Sequence, residues 1–195
     1  MSRREFFESV AGRWDQNEKI DYEKLKRIIK MADIRKGEKV LDIGSGTGVL
    51  LPLLRQVTGK GNRVFALDIS FNMLKRSAEK FRNLFSYIQS DASALPLVGE
   101  IFDKVICFAV FPHFPFKKKV LSEIERVLKN RGEIFIAHSA SRNRINTFHK
   151  KVGDVVKNDA IPHEKKMIEL FVSAGFNDIC IKDAEDFYLA SGIKP

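Results

Sequence analysis

The chain has 195 residues, with 34 Lys and Arg against 25 Asp and Glu and a formal net charge of +9. That length suits one domain, residues 1–195, able to bury most of its apolar surface. No apolar run approaches the roughly 18–20 residues of a membrane helix, and the opening "MSRREFFESVAG" mixes acids with bases and lacks the apolar core of a signal peptide, so a cytoplasmic protein without a membrane span is expected.

The basic residues are spread along the chain, and the tight clusters are "KKK" at 117–119, "HKK" at 149–151 and "EKK" at 164–166. This distribution favours a solvated, lysine-rich surface over a nucleic-acid-binding stripe. Cys107 and Cys180 sit in the strand-like runs "KVICFAV" and "DICIKD" with no CxxC, and both read as small buried hydrophobes.

In chain order, residues 20–32 place Leu25, Ile28, Ile29 and Ala32 on one helical face. "KVLDIG" (39–44) is a short continuous apolar run, the mark of a buried parallel strand. A helix over 48–57 follows, with Pro52 tolerable in its first turn. "RVFALD" (63–68) is a second strand, and Ser70 can cap a helix whose inner face carries Met73, Leu74, Ala78 and Phe81. "FSYIQSD" (85–91) and "FDKVICFAV" (102–110) give the third and fourth strands. A helix over 117–129 is expected to end at "NRG" with Gly132 in the left-handed cap, and "EIFIAHS" (133–139) is the fifth strand. A further helix runs from Ile161-Pro162 to Gly175, and "NDICIKDA" and "DFYLASGI" form two tightly joined, antiparallel strands. The alternation implies an α/β, doubly wound sheet of seven strands, mostly parallel with an antiparallel last strand. Ligands bind such sheets beyond the carboxyl ends of the strands, so the loops of interest are 42–48, 68–72, 89–95, 109–116 and 138–149.

The first of these reads "DIGSGTGV" (42–49). A dinucleotide fingerprint needs its third glycine where Val49 stands, and a phosphate-binding P-loop needs a Gly-Lys-Ser/Thr that is missing. A purely structural glycine turn is the competing reading. Asp68, however, ends the second strand about 20 residues on, where an acid can grip both ribose hydroxyls. A carboxylate there has no structural task beyond capping a helix. Asp91, at the end of the third strand, can accept from an adenine amino group while the Ala92 N–H donates to the ring. Three polar clamps on adjacent strand ends suit an adenosine without phosphates.

"VLDIGSGTGVL", "FALDISFNML", "SDASALPL", "FDKVICF" and "EIERVLKNRGEIFIA" together resemble the successive motifs of class I S-adenosylmethionine-dependent methyltransferases. "FFESVAGRWD" resembles the N-terminal segment of the methyltransferase type 11, ubiquinone/menaquinone C-methyltransferase-like branch. The resemblance implies a Rossmann-like fold, with residues 1–35 as a helical lid. It also implies S-adenosyl-L-methionine as cofactor and S-adenosyl-L-homocysteine as product. It assigns Asp42, Gly44, Ser45 and Gly46 to the methionine part and Asp68 to the ribose. Ile69 and Met73 would pack near the adenine, Asp91 and Ala92 would bind its edge, and Phe108 and the closing aromatic Trp14 would complete the cofactor site. "NRG" at 130–132 departs from the Pro-Gly-Gly of many relatives, at a turn remote from the site.

The methyl sulfonium is already activated, so in-line transfer asks mainly for an acceptor held at about 3 Å. Aromatic faces from Trp14, Phe7 or Phe111 can stabilise the cation by about 0.5–2 kcal/mol. An acceptor hydroxyl or acidic carbon also needs a base; placement favours His138 and His113, with His149 nearby in sequence. His138, His149 and His163 have spacings of 11 and 14, which match no compact metal motif, and no metal is expected. The acceptor pocket is expected to form from the N-terminal segment, the 109–116 loop and residues 139–165, and to take a small hydrophobic or aromatic molecule. An RNA or protein methyltransferase is the alternative that the charge suggests. Against it, the loop after the fourth strand reads "FAVF" where amino-methylating nucleic-acid enzymes carry Asn/Asp-Pro-Pro-aromatic, and Cys107 lies too early to be a cytosine C5 nucleophile. A protein that binds the cofactor without transfer is a third reading. A monomer and a homodimer are both compatible with the sequence.

Overall fold

Burial of continuous apolar runs organises the sheet in the computed structural model, which describes residues 1–17, 21–61, 63–152 and 154–195. β1 (Val40–Ile43) is buried at every position, as a strand covered on both faces must be. Around it lie β2 (Val64–Asp68), β3 (Ser86–Gln89), β4 (Phe102–Phe108), β5 (Leu128–His138), β6 (Asn177–Asp183) and β7 (Tyr188–Ile193). The order is β3-β2-β1-β4-β5-β7-β6. The first five are parallel to one another, and β7 is antiparallel to both β5 and β6. The chain reverses its winding between β1 and β4, which opens a crevice at their carboxyl ends.

Helices cover both faces. On one, α3 (Tyr22–Met31), α4 (Leu51–Thr58) and α5 (Phe71–Lys80) contribute Leu25, Ile28, Leu51, Leu54 and Leu74 to a core against β1 and β2. On the other, α6 (Lys117–Val127) and α8 (Glu164–Ser173) bury Leu121, Ile124, Met167 and Phe171 against β4 and β5. The start signals act as their chemistry requires. The Asp21 side chain caps α3 by accepting from Lys24 N, Pro52 lies in the first turn of α4, and Ser70 caps α5 by accepting from Met73 N. Ile20, the expected first residue of α3, lies outside the described residues.

Four local expectations are corrected. α6 stops at Val127, because Leu128 is already extended (ψ 142°) and pairs with Phe102. The left-handed residue of the following turn is Arg131 (φ 66°), not Gly132. Gly132 is required for space instead: a Cβ there would lie 2.8 Å from the Lys129 carbonyl oxygen. Residues expected as loop contain α7 (Arg142–Val152), whose buried side chain is His149 and therefore leaves no apolar stripe to read. Cys107 is buried, but Cys180 is exposed, since β6 is an edge strand paired with β7 alone.

Candidate active site

A cavity of about 420 Å³ opens over the carboxyl ends of β1, β2 and β4, a size within the usual range for small-molecule sites. Its floor carries Asp42, Gly44, Ser45 and Gly46 from the first loop. Asp68, Ile69 and Met73 border it from the second, Asp91 and Ala92 from the third, and Phe108 from the end of β4. Trp14 closes it from the N-terminal segment, beside Phe7 at a ring-centroid distance of 6.0 Å. All the sequence-derived cofactor positions thus surround one space.

The glycine loop has two separate tasks. At Gly48 (φ 86°) a Cβ would fall 2.4 Å from Ser77 Oγ and 2.8 Å from the Phe81 ring, so this glycine lets α5 close on the loop. At Gly46 (φ 55°) a Cβ would meet nothing within 4 Å, so the backbone there is bare toward the cavity. The Gly46 N–H donates to Asp68 Oδ2 at 2.8 Å, and Ser70 N donates to Asp68 Oδ1 at 2.9 Å. Asp68 therefore has the structural task the sequence did not show: it ties the first loop to the start of α5.

Carboxylates gather at this end. Asp42 is 2 % exposed, and among the described residues no hydrogen-bond donor reaches it. Burial, with Asp68 nearby, pushes its pKa up to about 7. Burial also raises Asp68, against the opposing bonds from Ser70, Gly46 and Ile69. Asp91 accepts from Ser93 N at 2.7 Å and lies on the rim.

The histidines separate. His113 stands on the cavity wall, in a 3₁₀ turn (Phe111–His113) after β4. His138 is not among the lining residues. It is buried beside Tyr188, with ring centroids 6.3 Å apart, its Nε2 is without a partner, and burial lowers its pKa to about 3. His149 is buried against His113 at 4.9 Å and also lies behind the wall. His163 caps α8, accepting from Lys166 N. Phe111, considered as a lining residue, packs wholly inside the core. Among the described residues no group of three or more His, Cys, Asp or Glu is arranged to hold a metal ion.

Residues 34–175 match a family described as a methyltransferase domain. The chain is 30% identical over 205 residues to the ubiquinone/menaquinone biosynthesis C-methyltransferase UbiE of Pasteurella multocida, covering 89% of this chain and 76% of that protein. This chain is a class I S-adenosylmethionine-dependent methyltransferase. It is 32% identical over 142 residues to the UbiE protein of Pectobacterium carotovorum, a match spanning 68% of this chain but only 57% of that relative. Among solved structures, the methyltransferase bound to the Haloferax volcanii Trm112 activator shares its fold with a TM-score of 0.82 at 22% identity, over 100% of this chain and 98% of that one. The Haemonchus contortus phosphoethanolamine N-methyltransferase 2, in complex with S-adenosylhomocysteine, gives 0.81 at 16% identity, over 100% of this chain and 60% of that one.

The cavity of this methyltransferase fits its cofactor chemically. Asp42 is a buried carboxylate lacking a protein partner, which suits the ammonium of a methionine moiety, and the bare Gly46 backbone leaves room beside it. The sequence reading missed how the methyltransferase closes over this space. α1 (Arg3–Val10) is fastened by Glu8, whose carboxylate accepts from Phe71 N at 2.8 Å, Asn72 N at 2.9 Å and Ser70 Oγ at 3.0 Å. Glu8 thus serves as a second N-cap for α5, supplied from another helix. Burial would raise its pKa, but these donors outweigh that and lower it. Asp15 of α2 (Trp14–Asn17) accepts from the Thr47 hydroxyl and pairs with Lys80 at 2.9 Å. Arg3 is ion-paired with Asp159. No sequence spacing signals these contacts, which join residues 32 to 156 positions apart.

Proposed function

We propose that this enzyme methylates a small hydrophobic or aromatic acceptor by direct in-line transfer. The observation that carries this reading is which elements line the cavity. Asp42, Asp68 and Asp91 line it from β1, β2 and the loop after β3, whereas Phe7, Val110, His113 and Phe114 line it from α1 and the segment after β4. The relatives named C-methyltransferases support the same class of acceptor.

The cofactor supplies the activated methyl group. Asp68 would accept from the ribose hydroxyls with the lone pairs left free by Gly46 and Ser70, and Asp42 would pair with the methionine ammonium. Asp91 and Ala92 would read the adenine edge between Ile69 and Met73. Trp14 and Phe7 would exclude water and face the sulfonium. His113 is the histidine that reaches the cavity, so it is the base we favour, ahead of His138. It would take the proton from an acceptor hydroxyl or acidic carbon as the acceptor electron pair forms the bond to methyl carbon and the S–C electrons return to sulfur. Solvent then receives the proton.

The test is incubation with labelled S-adenosylmethionine and separate pools of phenols and quinols, total RNA, and peptides. Label in the phenol and quinol pool is the expected result. Label confined to RNA or peptides would overturn the acceptor class, and cofactor binding with no label in any pool would favour a binding protein.

A further inference from the structure

His113 meets the cavity with one of its ring nitrogens already committed. Its Nδ1 lies 2.8 Å from Asp159 Oδ2, and the side chain of Asp159 is 2% exposed. The same carboxylate is held by Arg3 of α1 through Oδ1, with Arg3 Nε at 3.4 Å from Oδ2. These residues come from three distant parts of the chain and converge at one wall of the cavity, which Arg3 and His113 line.

The neighbouring groups hold the arrangement without competing for it. His149 bonds through Nδ1 to the backbone carbonyl of Asp159 at 2.9 Å, so it does not use the carboxylate. Lys117 Nζ donates to the carbonyls of Pro112 and Phe114, each at 2.9 Å, which pins the backbone on both sides of His113. The Phe7 ring meets the His113 ring edge-on at 5.2 Å. A simple ion pair between Arg3 and Asp159 would need none of this apparatus around the imidazole.

An ionised carboxylate can only accept hydrogen bonds. Nδ1 must therefore carry the proton, and the lone pair of the neutral ring resides on Nε2, which no protein group among the described residues engages. We propose that Asp159 is a positioning residue that holds His113 in the tautomer able to accept the acceptor's proton, and that Arg3 of the N-terminal helix completes this grip. The inference rests on the reading of His113 as the base. It adds that the base is assembled only when α1 is docked.

The test follows from which atoms Arg3 occupies. In Asp159→Asn, Arg3 would retain the amide oxygen, turn the NH₂ toward His113 and force Nδ1 to accept. The ring proton would then move to Nε2. ¹⁵N NMR of the full chain should show the Nδ1–H tautomer in the wild type and its inversion in Asp159→Asn, without any acceptor present. Adding Arg3→Gln to Asp159→Asn should release the amide and undo the inversion. On the acceptor found in the screen, Asp159→Asn should lower kcat roughly 10- to 100-fold with little change in KM, a share of what general-base catalysis supplies. Asp159→Glu should recover most of it. Calorimetric binding of S-adenosylhomocysteine within about two-fold of wild type checks the fold of each variant. An unchanged tautomer and kcat in a folded Asp159→Asn, with turnover still lost in His113→Gln, would overturn the positioning role and leave the base intact. Full turnover in His113→Gln would instead overturn the base, whatever the tautomer does.

Discussion

Asp42 keeps a proton at acidities where an exposed aspartate has lost it, because burial and the neighbouring Asp68 both oppose its charge. Between pH of about 4 and 7 the folded chain binds that proton and the unfolded chain does not, so this group makes stability fall as pH rises, by at most about 1.4 kcal/mol per unit. His138 acts in the opposite sense. Buried neutral, with its pKa lowered to about 3, it binds no proton when folded where the unfolded histidine binds one below about 6.5, so its contribution is lost on acidification. The two slopes offset one another. Asp42→Asn should therefore leave a protein whose melting temperature rises more steeply from pH 4 to 6.5 than that of the wild type; equal slopes would contradict the Asp42 assignment. Binding of S-adenosylhomocysteine near pH 6 should release a proton, seen as a calorimetric enthalpy that changes with the ionisation enthalpy of the buffer. The effect should vanish above pH 8 and in Asp42→Asn. Asp68 needs a finer probe, since its bonds to the Gly46 and Ser70 backbone mean that Asp68→Ala disturbs loop and ligand together. Asp68→Ala should cost roughly 1–3 kcal/mol of stability from the two orphaned donors, besides its loss of cofactor affinity. A variant as stable as wild type would show that the bonds to Gly46 and Ser70 carry no weight.

Among the elements, α1 has no buried side chain and is held through Arg3 and Glu8 by partners far along the chain. Glu8 stands at the amino end of α5, where partial positive charge and free N–H groups attract an anion. Glu8→Ala should cost about 0.5–2 kcal/mol of docking energy, as loss of a cap does. Hydrogen exchange should accelerate across residues 3–10 while the central strands keep their protection, and S-adenosylhomocysteine affinity should fall. Unchanged exchange in α1 would show that the cap does not hold the helix. The legibility of elements followed the same distinction between local and distant causes. β1, β2, β4 and α3 were readable because burial on both faces, or on one stripe, leaves a pattern within the element itself. α7 was not, because its one buried side chain is a histidine that bonds to the Asp159 carbonyl, and Asn146 bonds to the Ile161 backbone, interactions with no hydrophobic period. The end of α6 was misjudged because Leu128 is drawn into pairing with Phe102, a tertiary demand that overrides the glycine nearby.

For the whole molecule, topology did most of the work of placing the site. Once the strands alternate with helices, the carboxyl ends near the reversal of winding are the place to look, and the acids that end β1 and β2 lie there. The sequence reading had already given the N-terminal segment, the 109–116 loop and His113 to the other side of the cavity. Residues 139–165, expected there too, are not among its lining. What escaped was that Arg3 and Asp159 join His113, which comes about only through packing. The same packing separates the two thiols. Cys107 is buried at the sheet centre, where burial and Asp42 raise its pKa, and Cys180 is exposed on the edge. A maleimide should therefore modify Cys180 promptly and Cys107 only at the rate of global opening, which makes Cys180→Ser a reporter with a single core thiol. Fast double labelling of the native protein would contradict this.

Ser2, Arg3 and Arg4 border the cavity itself. Anything fused ahead of Met1 therefore begins beside residues that line the cavity. An affinity tag at that end would crowd this lining and pull on the Arg3 contact, whereas Pro195 follows β7, whose end lies away from the carboxyl ends of the parallel strands. Moving the tag from one terminus to the other changes the enzyme being assayed.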